Sequence, residues 1–182
     1  YTNDGSALEI NVSERLGSIV EATCGSLGQA LSVAAGVSLT TKRHEKSYRS
    51  YVILGDGELQ EGQTWEAAMF AASHHLNNLC LIIDLNSLQV EGHTDKVLKM
   101  EPIDKKFEAF GWNTIMVDGH NFSDLRDAFT SASNEIKKPT VLIAKTLVGK
   151  GCLSLEGQLS HNMILPQNVA IRALEELGER YD

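Results

Sequence analysis

Apolar residues follow two different periods along this chain. Residues 48–54 (YRSYVIL), 79–84 (LCLIID), 113–117 (NTIMV) and 140–145 (TVLIAK) are short, mostly apolar runs. Runs of this length and kind predict strands buried in a sheet. Between them, apolar and small residues return at helical spacing. The spacing predicts a helix over 27–42, and a second over 61–76 through Trp65, Ala68, Met69, Ala72 and Leu76. A short helix is expected near 103–110, another over 124–133 with Ser123 as N-cap, and a final amphipathic one over 168–180. Residues 85–102 form a long connection carrying Val90-Glu91-Gly92, expected to loop over the strand ends, and 158–167 are expected to be irregular. Strands alternating with helices predict an α/β fold: a doubly wound, mainly parallel sheet flanked by helices. No repeat, linker or low-complexity segment interrupts the pattern, so residues 1–182 are expected to form a single domain.

The chemistry concentrates where two of these strands end. The run 48–54 leads into Gly55-Asp56-Gly57-Glu58, and Asn86 lies thirty residues after Asp56, just beyond the run 79–84. Two parallel strands joined by a helix place Asp56 and Asn86 at the same sheet edge, where ligands bind in open α/β folds. A carboxylate and an amide oxygen suit Mg²⁺ or Ca²⁺, hard cations that take oxygen ligands and share them with phosphates. The glycines let backbone approach a bound group, and N–H groups at the following helix start can take phosphate charge. Taken singly, Gly-Asp-Gly is often a tight turn and Asn86-Ser87 is ordinary turn chemistry. The joint pattern of strand, turn, helix, strand and asparagine is far more specific.

Composition narrows the function classes. A net charge of −8 argues against nucleic acid or an anionic membrane as the main partner. No apolar run is long enough to span a bilayer, and no signal peptide is visible. Cys24, Cys80 and Cys152 cannot all pair and lack metal-site spacing. Cys80 falls in an expected buried strand and reads as a reduced core thiol, which suggests a cytoplasmic setting.

The stretches GDGELQEGQTWEAA and NNLCLIIDLNSLQVEG resemble the thiamine-diphosphate domain of transketolases. Upstream, EATCGSLGQALSVAAGVSL resembles that family's Gly-Ser/Pro-Leu-Gly-Gln turn opening a helix. FEAFGWNTIMVDGHNFSDL and KPTVLIAKTLVGKG match downstream, so the resemblance covers residues 20–151 in order. It implies thiamine diphosphate and Mg²⁺ (or Ca²⁺) as cofactors. Asp56 and Asn86 match the family's side-chain metal ligands, and Leu88 matches a backbone-carbonyl ligand. Gly57 and Asn86 match diphosphate contacts, while Gly25, Ser26 and Leu27 match the turn beside the aminopyrimidine. Glu58 is expected to support the diphosphate site or a subunit contact; a solvated helix-start residue is the alternative, and Glu61 stands likewise.

The departures from the family shape the expected partners and substrates. The pyrimidine-binding domain, whose glutamate protonates the cofactor ring, is not in this sequence. The N-terminal part of the family domain is not either, although the opening at Tyr1 leaves the natural start open. The chain therefore resembles the N-terminal subunit of a split transketolase, partnered in a heterotetramer by a C-terminal subunit that carries the pyrimidine domain. In Glu9-Ile10-Asn11-Val12-Ser13, Asn11 stands where the family has a Gly-His-Pro histidine. Asparagine can hydrogen-bond but cannot take up a proton near neutral pH. Ser160-His161-Asn162-Met163 keeps only Ser-His of a second histidine segment. His161 is the candidate catalytic residue, with a surface loop as its alternative. His120 reads as a turn before a helix, His74 and His75 as a solvated helix end, and His44 and His93 as surface residues.

Three functions follow. The first is transfer of a two-carbon ketol unit from a ketose to an aldehyde. The second keeps the cofactor but decarboxylates a 2-oxo acid and transfers the acyl unit. The third is a non-catalytic assembly partner, against which the intact Asp56/Asn86 pair argues.

Overall fold

The computed structural model describes residues 5, 6, 11–161 and 164–178. Its centre is a four-stranded, wholly parallel sheet of β1 (Ser50–Gly55), β2 (Leu79–Leu85), β5 (Asn113–Asp118) and β6 (Thr140–Lys145), in the order β1-β2-β6-β5. A two-stranded hairpin, β3 (Leu88–Gln89) with β4 (Gly92–His93), stands apart from it. The helices are α1 (Ala30–Arg43), α2 (Gly62–Ser73), α3 (Thr94–Val97), α4 (Ile103–Phe110), α5 (Phe122–Asn134) and α6 (Gln167–Glu176). The expected α/β sheet flanked by helices is the observed fold.

The two faces of the sheet bury different residues because side chains alternate along each strand. Val52, Leu54, Leu81, Ile83, Val141 and Ile143 face α1, α2 and α4, where they meet Leu31, Ala68 and Phe107. Cys80, Leu142, Ala144 and Val117 face α5 through Ala128 and Ala132. Tyr51 and Ile53 on β1 point to this second side. They remain 53% and 70% exposed, although Tyr51 meets Phe129 edge-on. β1 is also an edge strand, paired to β2 alone among the described residues.

Several local expectations change on contact with the fold. Met69, expected on the buried stripe of α2, faces outward; Ala67, Ala68 and Ala71 make the buried face instead. Small residues let α2 approach the sheet closely. The N-cap of α5 is Asn121, not Ser123: its side-chain oxygen accepts the N–H groups of Ser123 and Asp124. Asn stabilises such an end because it satisfies donors with no partner inside the helix. The connection 85–102 is a hairpin and a short helix rather than a plain loop. Of the expected final helix, 179 and 180 lie outside the described residues, as do Glu9, Ile10, Asn162 and Met163.

Candidate functional site

The parallel register fixes the site. Gly55 pairs with Asp84, so β1 and β2 end side by side, with Asp56 and Asn86 just beyond. The Asp56 N–H donates to the Asp84 carbonyl at 3.2 Å, which carries the pairing one residue past the strand.

Asp56 is 2% exposed. Its Oδ1 accepts the Gly57 N–H (3.0 Å), while Oδ2 accepts the Ser87 N–H (2.9 Å) and the Thr94 hydroxyl (3.1 Å). Burial raises its pKa above the ordinary carboxylate value. The three donors oppose that rise, and the negative charge of Asp84 adds to it. The carboxylate is thus positioned from both strand ends, yet burial, and after it a neighbouring charge of its own sign, makes its ionised form costly.

Asn86 is held as firmly. Its Nδ2 donates to Asp84 Oδ2 at 3.0 Å, and its Oδ1 accepts the Leu88 N–H at 2.9 Å. Leu88 opens β3 and pairs with His93. The chain then folds back through α3, which delivers the Thr94 hydroxyl to Asp56. Among the described residues, no three His, Cys, Asp or Glu side chains gather as a metal cluster. Asp56, Asn86 and the Leu88 carbonyl offer oxygens of the kind that a hard divalent cation takes.

The turn at Gly25, Ser26 and Leu27 is exposed. Glu58 Oε1 accepts the Gly28 N–H at 2.8 Å, which couples the turn to the Gly-Asp-Gly segment. Gly28 adopts φ +79°, and a Cβ there would lie 2.7 Å from Glu61 Cβ, so glycine is required twice over. Asn11 packs on Gly25: a Cβ at Gly25 would stand 2.6 Å from Asn11 Nδ2. Gly57 faces Gln89 of the hairpin. Gln89 Oε1 accepts from Gln60 Nε2 (2.7 Å), and Gln89 Nε2 donates to Glu91 Oε2 (2.8 Å).

His161 stands further out. It is exposed, and its charge helps to lower the Glu91 pKa, behind the larger effect of the Gln89 hydrogen bond. His120 does more than mark a turn, since its Nε2 accepts the Leu147 N–H at 2.7 Å. Ser87, Thr94, Asp84 and Thr146 were not among the expected site residues. The first three contact the Asp56/Asn86 pair and Thr146 reaches it only through Asp84, by contacts that the fold, rather than the apolar pattern, brings about.

Comparison with known proteins places this geometry among relatives. The model of the family described as transketolase, thiamine diphosphate binding domain, matches residues 13–178. The chain is 40% identical over 159 residues to the 6-deoxy-6-sulfo-D-fructose transketolase subunit SqwG of Clostridium sp. (strain MSTE9), covering 87% of this chain and 58% of that protein. It is 36% identical over 164 residues to an apulose-4-phosphate transketolase subunit of Phocaeicola vulgatus, covering 90% and 58%. The crystal structure of transketolase from Campylobacter jejuni superposes with a TM-score of 0.80 at 33% identity, over 88% of this chain and 26% of that one. The chain thus spans little more than half the length of the two curated relatives it matches here.

Proposed function

The chain belongs to the transketolase family through its thiamine-diphosphate-binding domain, and from that premise we propose that it is the N-terminal subunit of a two-component, thiamine-diphosphate-dependent transketolase-like enzyme. Its partner is a C-terminal subunit with the pyrimidine-binding domain, in a heterotetramer. Together they transfer a two-carbon ketol unit from a ketose donor to an aldehyde acceptor. Two relatives that bear the name of transketolase subunits support the split architecture.

The observation that carries the proposal is the buried Asp56 carboxylate, held across the strand ends from Asn86 and raised in pKa by burial and by Asp84. Asp56, Asn86 and the Leu88 carbonyl hold Mg²⁺ (or Ca²⁺), and Gly57 and Asn86 meet the diphosphate. Gly25, Ser26 and Leu27 lie along the aminopyrimidine, and Glu58 fixes their turn against the metal segment. When bound, thiamine diphosphate supplies a nucleophilic carbon that opens and closes bonds next to a carbonyl group. The protein's part is positioning, exclusion of water and fixed dipoles. His161, beyond the hairpin, serves the substrate end as a proton carrier.

Calorimetric titration of thiamine diphosphate with Mg²⁺ tests this, using the chain alone and in complex with its partner. Binding is expected to require Mg²⁺ and to strengthen with the partner, because one subunit leaves part of the pocket open. Equal affinity in both cases would contradict the shared site. One observation favours a second function, decarboxylation of a 2-oxo acid with acyl transfer. Asn11, which cannot carry a proton near neutral pH, packs on the Gly25 turn, and the resemblance puts it where the family has a histidine. Product analysis with a ketose and with pyruvate as donors separates the two.

A further inference from the structure

Asp84 lies outside the set of oxygens assigned to the cation, yet four observations converge on it. It is the penultimate residue of β2 and pairs with Gly55. Its carbonyl accepts the Asp56 N–H. Its Oδ2 accepts the Asn86 amide, and its Oδ1 accepts the hydroxyl of Thr146, the residue that follows β6. The Thr146 N–H in turn donates to the Leu85 carbonyl at 3.1 Å. The side chain thus bridges the ends of two neighbouring strands while holding the Asn86 amide.

The consequence for Asn86 is chemical. A primary amide has one oxygen and one nitrogen, and its orientation is set by the hydrogen bonds on each end. Here the nitrogen meets an acceptor, Asp84 Oδ2, and the oxygen meets a donor, the Leu88 N–H. Turning the amide over would set acceptor against acceptor and donor against donor. Asp84 therefore selects the orientation in which Oδ1 lies on the Leu88 side. Leu88 occupies one of its two lone pairs and leaves the other for a ligand.

We propose that Asp84 is a positioning residue for the cation site, acting through Asn86: it locks the amide so that its oxygen is presented for metal binding, and it ties the start of the loop after β6 to the same point through Thr146. This rests on the cofactor function proposed above. Outer groups that orient metal ligands commonly contribute ten- to a hundredfold in metal affinity.

The test measures Mg²⁺-dependent binding of thiamine diphosphate by calorimetry, in the chain complexed with its partner, for Asp84→Ala, Asp84→Asn, Asn86→Ala and the double variant Asp84→Ala/Asn86→Ala. Folding is checked by circular dichroism and thermal melting. Asp84→Ala is expected to weaken binding about 10- to 100-fold. Asp84→Asn, which keeps an acceptor oxygen for the Asn86 amide, is expected to restore most of that loss. The double variant is expected to bind no more weakly than Asn86→Ala alone, because the amide is the route by which Asp84 supports the cation, while its charge beside Asp56 works the other way, against ionisation. Wild-type affinity in Asp84→Ala, additive losses in the double variant, or an Asp84→Asn as weak as Asp84→Ala would each overturn the inference while leaving the cofactor function standing. Absence of Mg²⁺-dependent binding in the wild-type complex would instead remove the cofactor function, and this inference with it.

Discussion

At Asp56, burial and hydrogen bonding pull in opposite directions. Desolvation and the nearby Asp84 disfavour its ionised form, while Gly57, Ser87 and Thr94 stabilise it with hydrogen bonds. A divalent cation would relieve that conflict. Asp56→Ala is therefore expected to abolish Mg²⁺-dependent cofactor binding without unfolding the chain, as read by calorimetry beside a melting curve. Unchanged affinity would remove Asp56 from the metal site. The cysteines give a second contrast at this scale. Cys80 is fully buried in β2, and burial pushes its thiol up to about 11, with Arg49 opposing in part. Cys24 is exposed beside the Gly25 turn. Iodoacetamide at neutral pH is expected to label Cys24 in the folded chain and Cys80 only after denaturation, since the thiolate is the reactive form. Mass spectrometry of labelled peptides checks this. Asp56 and Asn86 were legible in the sequence because each lies at the end of an apolar run. Asp84 was not, because an acidic residue near the end of a strand looks like any strand end. Thr94 and Thr146 were not, because their contacts depend on how the loops and strands are arranged in space. The one signal for Asp84 was its place two residues before Asn86.

Elements were legible to the extent that their burial is periodic. The four sheet strands and the helix Ile103–Phe110 lie where the apolar pattern predicts them. Misses occurred where short-range hydrogen bonds decide. The hairpin of β3 and β4 has only two residues per strand and no apolar alternation to announce it. The start of α5 turned on two nearby residues able to cap. Asn121 holds that position through two N–H groups, whereas Ser123 lies inside the first turn. Asn121→Ala is expected to cost about 0.5–2 kcal/mol in urea unfolding. Ser123→Ala is expected to stay within about 0.5 kcal/mol of wild type. Equal losses would return the cap to Ser123.

For the molecule as a whole, the parallel sheet gathers the loops that carry chemistry at the carboxyl ends of its strands. The Asp56-Gly57-Glu58 segment follows β1, the hairpin follows β2, His120 follows β5 and Thr146 follows β6. Alternation of strands and helices was enough to predict that edge. It was not enough to predict the strand order β1-β2-β6-β5, which sets Thr146 beside Asp84. Nor does the pattern within 48–54 say that Tyr51 and Ile53 stay uncovered, because they alternate with Val52 and Leu54 as though both faces were packed. That bare flank of β1 bears on colloidal behaviour. A strand edge with no neighbour among the described residues, bordered by an aromatic and a β-branched residue, is a template for pairing with another copy. The isolated chain is expected to self-associate as its concentration rises, despite its net charge of −8. Ile53→Lys places a charge on the flank and is expected to keep it monodisperse in sedimentation velocity, so that this single exchange is the first to make when preparing the chain without a partner.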